Sequence, residues 1–242
     1  MSKKKNAVRL TEEPQLISSD APFEYVEAFK ELRTNLNFAA SNKQGEKKCR
    51  KLVVTSSVPD EGKSTVVTNL AISLVQDGNR VLVVDADMRN PVLRKYLSLQ
   101  QEQPTGLSAL LNGDVKIGEC LVRTTFGVDV IADGPIPPNP AELIKSDAMQ
   151  SLIRGSEAYY DYIIFDTPPV GVITDAAALS SLCDGVVYVV RHKFASKACV
   201  HNAVRKLKMV DAKILGVVLM QYDVPKASRN YGYYHRYRKY GK

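Results

Sequence analysis

Four consecutive residues with phosphate-binding chemistry, Gly62-Lys63-Ser64-Thr65, close a short loop in the sequence. An apolar run, Leu52–Thr55, precedes the loop, and a pattern typical of a helix, residues 64–76, follows it. In a Walker A loop of this kind, the glycine lets the backbone approach a phosphate, the lysine reaches the β- and γ-phosphates, and the hydroxyl binds Mg²⁺. The first amides of the following helix attract the same anion. The sequence therefore predicts a nucleotide site in which Lys63 and Ser64 contact phosphate and metal.

The loop departs from the common pattern at its first glycine position, where Ser57 stands. A strand, a tight turn and a helix in this order also occur in ordinary α/β domains, so the motif alone leaves a purely structural role open. The three parts fall where phosphate binding requires them, which favours the nucleotide site. The residues that we expect to surround the phosphates are Ser57, Asp60, Glu61, Gly62, Lys63, Ser64 and Thr65.

Aspartates stand at the ends of two further apolar runs. Asp85 closes the run Val81–Val84 and is followed by Asp87, while Asp166 closes Tyr162–Phe165. An enzyme with a phosphate loop needs a carboxylate at the end of a neighbouring strand to hold Mg²⁺. We expect Asp166 in this role, with one of Asp85 and Asp87 helping the metal and the other orienting or accepting the proton of an attacking hydroxyl. Aspartate is also common in turns, so a structural role is the alternative for each residue.

Apolar strands and helical segments alternate along the chain from Lys51 onward. Strands that are apolar throughout are typical of a parallel sheet whose two faces are both covered. We therefore expect an α/β fold of the P-loop NTPase type, with a doubly wound, mainly parallel sheet, helices on both faces and ligands at the carboxyl ends of the strands. The predicted strands are 52–55, 80–85, 128–132, 162–165, 186–190 and 214–219, and the predicted helices include 64–76, 107–111, 147–157, 176–182 and 196–209.

The composition suits one α/β domain with a substantial core, since 45% of the 242 residues are hydrophobic. No apolar run approaches the ~18 residues of a membrane span, and no apolar segment follows the charged N-terminus as it would in a signal peptide. The four cysteines (Cys49, Cys120, Cys183 and Cys199) lack metal-binding spacing. Dispersed thiols without an export signal indicate a reducing cytoplasm.

The predicted domain covers residues 23–225 and begins with a helix over 23–41. Apolar residues in this helix recur at helical spacing. Glu27, Lys30 and Arg33 are spaced three apart, so they form a charged stripe on one face. From the spacing alone, the stripe is either a solvated face or an interface.

Basic residues and tyrosines dominate the C-terminal end of the chain. No acidic residue follows Asp223, and we expect residues 226–242 to form a disordered tail, as residues 1–22 form a flexible arm at the other end. The tyrosines of the tail have neither strand alternation nor helical spacing, so they do not form a core. They can stack on single-stranded nucleic acid, remain solvated or accept phosphate, and they are Tyr231, Tyr233, Tyr234, Tyr237 and Tyr240.

Taken together, these features resemble the bacterial protein-tyrosine kinases of capsule and exopolysaccharide systems (BY-kinases), in their free-standing form. The resemblance covers the chain from residue 23 to its end. Besides the tyrosine-rich tail, it is carried by the segments Ser56-Ser-Val-Pro-Asp-Glu-Gly-Lys-Ser-Thr65, Val81-Leu-Val-Val-Asp-Ala-Asp-Met-Arg-Asn-Pro91, Gly134-Pro-Ile-Pro-Pro-Asn-Pro-Ala-Glu-Leu143 and Tyr162-Ile-Ile-Phe-Asp-Thr-Pro-Pro169 with Thr174-Asp175.

The resemblance implies an enzyme that transfers the γ-phosphate from ATP–Mg²⁺ to tyrosine. Lys63 and Ser64 would bind the phosphates and the metal, and Asp87 and Asp166 would help to hold the metal. Asp85 would be the base or the hydroxyl-orienting group. The implied catalytic residues are thus Lys63, Asp85 and Asp87. The tail tyrosines of one subunit would enter the site of its neighbour.

The resemblance also implies partners. The family's ring-forming Glu-x-x-Arg-x-x-Arg motif corresponds to Glu27, Lys30 and Arg33, so we expect a ring-like homo-oligomer, weakened because lysine lacks the bidentate fork of arginine. The cytoplasmic segment of a membrane-embedded activator, a polysaccharide co-polymerase, would activate the kinase and hold it peripherally at the membrane. The protein substrates would be the kinase itself and sugar-nucleotide or chain-polymerisation enzymes.

The main alternative is a partitioning or positioning ATPase of the MinD/ParA type, which shares the phosphate loop. Those proteins carry a signature lysine just after the first loop position, where this chain has Val58, and they lack a terminal tyrosine cluster. A nucleic-acid-binding protein is a third hypothesis, and its binding would weaken steeply with salt. The kinase motifs argue against nucleic acid as a partner.

Overall fold

The framework of the protein is a seven-stranded, mainly parallel sheet. The computed structural model describes residues 15–39, 49–99 and 105–222. In chain order, the strands are β1 (Arg50–Ser56), β2 (Val81–Asp85), β3 (Leu121–Arg123), β4 (Asp129–Ile131), β5 (Tyr162–Asp166), β6 (Gly185–Arg191) and β7 (Ile214–Met220). Their order in the sheet is β3-β4-β2-β5-β1-β6-β7. All neighbours pair in parallel except β3, which runs antiparallel to β4.

Helices connect the strands and lie on both faces of the sheet, so the predicted α/β fold is confirmed. Strand side chains alternate between the faces because successive residues of a strand point in opposite directions. In β1, Val53 packs into the core on one face, and Leu52 and Val54 pack into the core on the other. The helices are α1 (Phe23–Ala39), α2 (Lys63–Gln76), α3 (Leu93–Tyr96), α4 (Leu107–Asn112), α5 (Ile117–Cys120), α6 (Pro140–Lys145), α7 (Asp147–Ser156), α8 (Asp175–Ser180) and α9 (Lys197–Lys208).

Strand β3, which runs antiparallel to β4 at one end of the sheet, was missed by the sequence analysis. Strand β3 has only three residues and the preceding helix α5 only four. Neither is long enough for a periodic pattern to distinguish a strand from a helix. The remaining predicted strands and helices are present, with ends that differ by one or two residues.

The N-terminal segment requires a correction, because residues 15–22 are not a flexible arm. Ile17 is buried, and its backbone N–H donates to Oδ1 of Asn69 in α2 at 2.7 Å. The hydroxyl of Tyr25 in α1 donates to the carbonyl of Gln15 at 2.7 Å. This apolar and hydrogen-bonded contact anchors the segment beside α1 and α2. Residues 1–14 of the predicted arm and the predicted tail, 226–242, lie outside the described residues.

Helix length and composition bear on membrane insertion. Within the part of the chain that the structure describes, no helix combines the length and the apolar character needed to cross a bilayer.

Candidate active site

The phosphate loop occupies residues 57–62, between the end of β1 and the first residue of α2. Its backbone has positive φ at Asp60 (63°) and at Gly62 (93°). Glycine adopts this left-handed conformation freely, and aspartate adopts it more readily than most residues because its short side chain can hydrogen-bond locally. The tight turn therefore forms although serine occupies the first glycine position.

A buried carboxylate, that of Glu61, holds the loop together from inside. It is fully buried, and it accepts the backbone N–H groups of Ser57 at 2.7 Å and Val58 at 2.9 Å. Its second oxygen accepts the N–H of Arg191 in β6 at 3.2 Å. The hydroxyls of Ser57 and Tyr188 are paired at 2.8 Å. The side chains of Ser57 and Glu61 are thus engaged within the protein and shape the loop, and the predicted contacts of these two residues with phosphate stay a prediction.

The first residues of α2 carry the side chains expected to meet a nucleotide. Lys63 and Ser64 are largely buried, and Thr65 is partly buried. Gly62 lacks a Cβ, and a Cβ at this position would come within 3.3 Å of the Met220 side chain. Glycine therefore avoids crowding beside these residues. The first amides of a helix have no partner in a preceding turn, so they remain available to an anion. These residues stand where the sequence analysis placed them.

Three aspartates converge beside the start of α2. Strands β2 and β5 are neighbours, and their register places Asp85 opposite Asp166. Asp87 follows β2, and its N–H donates to Oδ1 of Asp85 at 3.2 Å. The hydroxyl of Ser64 donates to the Asp166 carboxyl. The structure thus brings together the carboxylates that the sequence placed at two separate strand ends.

Burial raises the pKa of each of these aspartates. The pKa of Asp85 lies well above its usual range because the carboxyl is buried and faces Asp166. Burial raises the pKa of Asp166 to about 6, although the charge of Lys63 and the Ser64 hydroxyl lower it. Burial also raises the pKa of Asp87, against backbone hydrogen bonds and the charge of Lys63. The site therefore holds more carboxyl groups than the single positive charge of Lys63 can neutralise.

The unpaired oxygens of this cluster fit a divalent cation. Oδ2 of Asp85 and Oδ1 of Asp166 are buried without a hydrogen-bond partner. Across residues 15–39, 49–99 and 105–222, no cluster of three or more histidine, cysteine, aspartate or glutamate residues could hold a metal alone. Mg²⁺ does not require one, because it keeps several waters and takes one or two carboxylates together with substrate phosphates. The residues present therefore suit Mg²⁺ bound with a nucleotide, and Ser64 and Asp166 are the predicted ligands beside the loop.

One acidic residue of the site was not selected from the sequence. Asp175 opens α8 with 2% of its side chain exposed and pairs with Nε of Arg89 at 3.1 Å. Its Oδ1 is also buried without a partner, and its charge contributes to the raised pKa of Asp87. Only the Thr174-Asp175 pair in the sequence pointed to it, and that pattern is typical of an ordinary helix start.

The segment after β5 packs directly under the phosphate loop. The hydroxyl of Thr167 donates to the carbonyl of Val54 at 2.7 Å, and that of Thr55 donates to the carbonyl of Pro168 at 2.9 Å. Farther along, a Cβ added to Gly171 would lie 1.9 Å from the carbonyl oxygen of Ser57. The phosphate loop and the acidic end of β5 are therefore held at a set distance by close backbone contact.

The charged stripe on α1 is divided between two roles. Lys30 pairs with Glu27 at 2.7 Å on an exposed face. Arg33 instead donates to the carbonyl of Ser73 at 2.6 Å and pairs with Asp77 at 3.2 Å, with 17% of its side chain exposed. Arg33 thus fixes α1 to the end of α2 within the same chain. Glu27, Lys30 and Arg33 stay predicted interface residues.

The predicted acceptor tyrosines, Tyr231, Tyr233, Tyr234, Tyr237 and Tyr240, lie outside the described residues. The last described residue is Tyr222, which follows β7. Strand β7 ends beside the phosphate loop, where the Met220 side chain approaches Gly62. The chain therefore leaves the described part of the structure close to the site.

A phosphate loop that opens a helix, beside strand-end carboxylates of a parallel sheet, defines a nucleotide-dependent enzyme of the P-loop class. The family described as an AAA domain matches residues 60–217. A tyrosine-protein kinase of Bacillus subtilis, YwqD, is 35% identical over 231 residues, which cover 95% of this chain and 91% of the relative. The chain therefore belongs to the family of bacterial tyrosine-protein kinases, as its motifs predicted.

Two further comparisons agree with this family. The tyrosine-protein kinase CpsD of Streptococcus agalactiae is 34% identical over 214 residues, covering 88% of this chain and 90% of the relative. Among solved structures, the kinase domain of the Escherichia coli tyrosine kinase ETK is 29% identical with a TM-score of 0.77, covering 88% of this chain and 85% of that one. Because these relatives are kinases of nearly equal length, they favour the predicted kinase over the MinD/ParA-type ATPase.

Proposed function

We propose that this kinase phosphorylates its own C-terminal tyrosine cluster in trans, within a homo-oligomer, and thereby regulates the synthesis and export of a capsular or extracellular polysaccharide. The observation that carries the proposal is the carboxylate cluster at the phosphate loop in a chain that also contains five tyrosines between residues 231 and 240. A hydrolase needs only to orient water, whereas this chain also supplies hydroxyl groups for transfer.

The roles of the site residues follow from their positions. Lys63 and the first amides of α2 would hold the phosphates of ATP. Ser64 and Asp166 would hold Mg²⁺, and Asp87 would support it from beside Lys63. The metal, when bound, neutralises charge on the phosphates. Asp85, the most deeply buried of these three aspartates, would orient the acceptor.

Phosphate transfer to tyrosine releases the hydroxyl proton, and a side chain of the protein can accept it. The oxygen of the acceptor tyrosine forms a bond to the γ-phosphorus as the bond to the β-phosphate oxygen breaks, and ADP leaves. The hydroxyl proton passes to Asp85. A carboxylate whose pKa is raised by burial suits this task, because its proton affinity is closer to the working pH than that of an exposed aspartate.

The proposed partners follow from the same family. Glu27 and Lys30, exposed on α1, would contact a neighbouring subunit in a ring-like oligomer. The cytoplasmic segment of a membrane-embedded polysaccharide co-polymerase would activate the kinase, and the kinase would then lie at the cytoplasmic side of the membrane. Tyrosines of polysaccharide enzymes would be further substrates.

Phosphotyrosine mapping by mass spectrometry after incubation with Mg-ATP tests the proposal, with and without the activator's cytoplasmic segment. Phosphate should appear on the tail tyrosines and should be absent in Lys63→Met. To test transfer between subunits, Lys63→Met is mixed with an active variant in which the five tail tyrosines are phenylalanine. Phosphate on the Lys63→Met tail then demonstrates trans transfer. ATP hydrolysis without phosphotyrosine, even with the activator, would instead indicate a MinD/ParA-type ATPase.

A further inference from the structure

Strand β7 is an open edge of the sheet. It stands at one end of the strand order, and within the described residues it pairs only with β6. The carbonyl of Met220 accepts the N–H of His192, which follows β6, so the backbone groups of Met220 face β6. Because these groups alternate in direction along a strand, those of Val217 and Leu219 face outward. Unpaired edge groups of this kind are a template for another strand.

The same strand exposes apolar side chains on one face. Val217 is 62% exposed and Leu219 is 49% exposed. Neighbouring Val218 packs toward the core on the opposite face. An open cavity of about 490 Å³ lies between the start of α9 and Leu219 of β7. A second open cavity of about 680 Å³, lined by α9 residues, adjoins it at Val200 and His201. We call this surface, formed by the outer edge of β7 and the cavities along α9, the β7–α9 groove.

The rim of the β7–α9 groove is basic. No aspartate or glutamate occurs between Arg191 and Met209. Lys197, His201 and Arg205 recur four residues apart, so they lie along one exposed side of α9. Lys193 and Lys208 line the two cavities at their ends. An occupant of the groove must therefore bring negative charge as well as apolar side chains.

We propose that the β7–α9 groove binds an extended acidic segment of another protein, which adds to the sheet as a strand beside β7. Main-chain hydrogen bonds to the edge would supply affinity, and alternating apolar side chains would enter the cavities, as in other cases of strand addition. Acidic side chains between them would meet Lys197 and Arg205. The groove begins beside the phosphate loop, since Arg191 lines its first cavity and donates to Glu61 of the loop. The proposal concerns binding of a segment and does not depend on the identity of the phosphate acceptor.

Charge argues against two occupants from this protein, its own C-terminal end and the same groove of a second copy. Its own C-terminal end carries, after Asp223, only basic charged residues, which the basic rim repels. A second copy paired edge to edge about a twofold axis would bring two β7–α9 grooves together, and their like charges would repel as well. A partner of opposite charge meets neither difficulty.

Fluorescence anisotropy with the purified full chain tests the proposal. The probe is a labelled eight-residue peptide of alternating glutamate and valine, and the comparison peptide has lysine in place of glutamate. The acidic peptide should bind, and the basic one should not. N-methylation of every second residue in one of the two possible registers should abolish binding, because it removes the hydrogen bonds to β7, whereas the other register should retain it.

Two double variants locate the site. Val217→Thr with Leu219→Thr removes the apolar contacts and keeps residues that favour strands; Lys197→Glu with Arg205→Glu reverses the rim charge. Each should weaken binding about tenfold or more, while the control Lys145→Glu with Arg154→Glu, on exposed positions of α6 and α7, should not. Circular dichroism checks folding, and the charge reversal still tests the proposal if the threonine variant is unstable.

Several outcomes would overturn the proposal. The first is an acidic peptide that fails to bind, or binds equally to all variants. The second is a concentration-dependent dimer that Val217→Thr with Leu219→Thr dissociates, which would make the groove a contact between copies. The third is binding to phosphatidylglycerol vesicles, lost in Lys197→Glu with Arg205→Glu, without peptide binding. That result would assign the basic rim to an anionic membrane.

Discussion

Replacing Asp166 with asparagine should stabilise the nucleotide-free protein at neutral pH, although Asp166 is proposed to hold the metal. The carboxyl is 1% exposed, and its pKa is raised from 3.8 to about 6. The folded protein thus disfavours the charged form relative to the unfolded chain. A pKa raised by about two units corresponds to about 3 kcal/mol at a pH above both values. Asparagine removes the charge, and its amide oxygen can still accept from Ser64.

The pH dependence has a definite sign. Between pH 3.8 and about 6, the folded protein binds more protons at Asp166 than the unfolded chain does. The free energy of unfolding therefore falls as the pH rises through this window. Below it, both states carry the protonated carboxyl, and wild type and Asp166→Asn should be nearly equal in stability. Above pH 7, the variant should be more stable by up to about 3 kcal/mol.

The assay is urea unfolding, followed by circular dichroism, at pH values from about 3 to 8 with EDTA present. Asp114→Asn, at an exposed position after α4, serves as the matched control and should change the free energy of unfolding by less than about 0.5 kcal/mol. Mg-ATP should stabilise the wild type by mass action and should stabilise Asp166→Asn far less. A variant that is less stable than wild type at pH 8 without metal, or a difference that does not change with pH, would refute the reasoning.

Two further substitutions test how the phosphate loop is held. Glu61→Gln removes a charge that accepts the N–H of Ser57 and two other backbone N–H groups. The free energy of unfolding in urea should fall by about 2 kcal/mol, and the KM for ATP in steady-state kinetics should rise. An unchanged KM would contradict a positioning role. Gly171→Ala should destabilise the protein or displace the loop, because its Cβ would meet the carbonyl of Ser57 at 1.9 Å. The control Gly155→Ala, in α7 with open space around it, should be neutral or stabilise by about 0.5–1 kcal/mol, and equal effects at the two glycines would refute the close-contact argument.

Long-range contacts account for what the sequence analysis missed. Ile17 looked like part of a polar arm, and only its hydrogen bond to Asn69, 52 residues away, shows that the segment is anchored. Arg33 looked like one member of a surface stripe, but Ser73 and Asp77 bind it. No local pattern predicts such pairings, because the partners meet only when α1 packs on α2.

Some features of the phosphate loop also follow from the local sequence, and others depend on tertiary structure. Its position, its lysine and its serine follow from adjacent residues, since loop and helix start form one continuous segment. The role of Glu61 does not, because it depends on Arg191 at the end of β6. From the sequence alone, the side chain of a glutamate in a phosphate loop is equally compatible with contacts to solvent, to a ligand or to the backbone.

The sequence by itself determined the alternation of strands and helices, the phosphate loop and the acidic strand ends, because these are local patterns of hydrophobicity and residue type. It also carried the motifs of the kinase family. Tertiary structure alone decided that Asp85 lies opposite Asp166, that Asp175 joins them and that, within the described residues, β7 stands at one end of the sheet. Strand order is a property of packing between distant segments, and the raised proton affinities of the site arise from that packing.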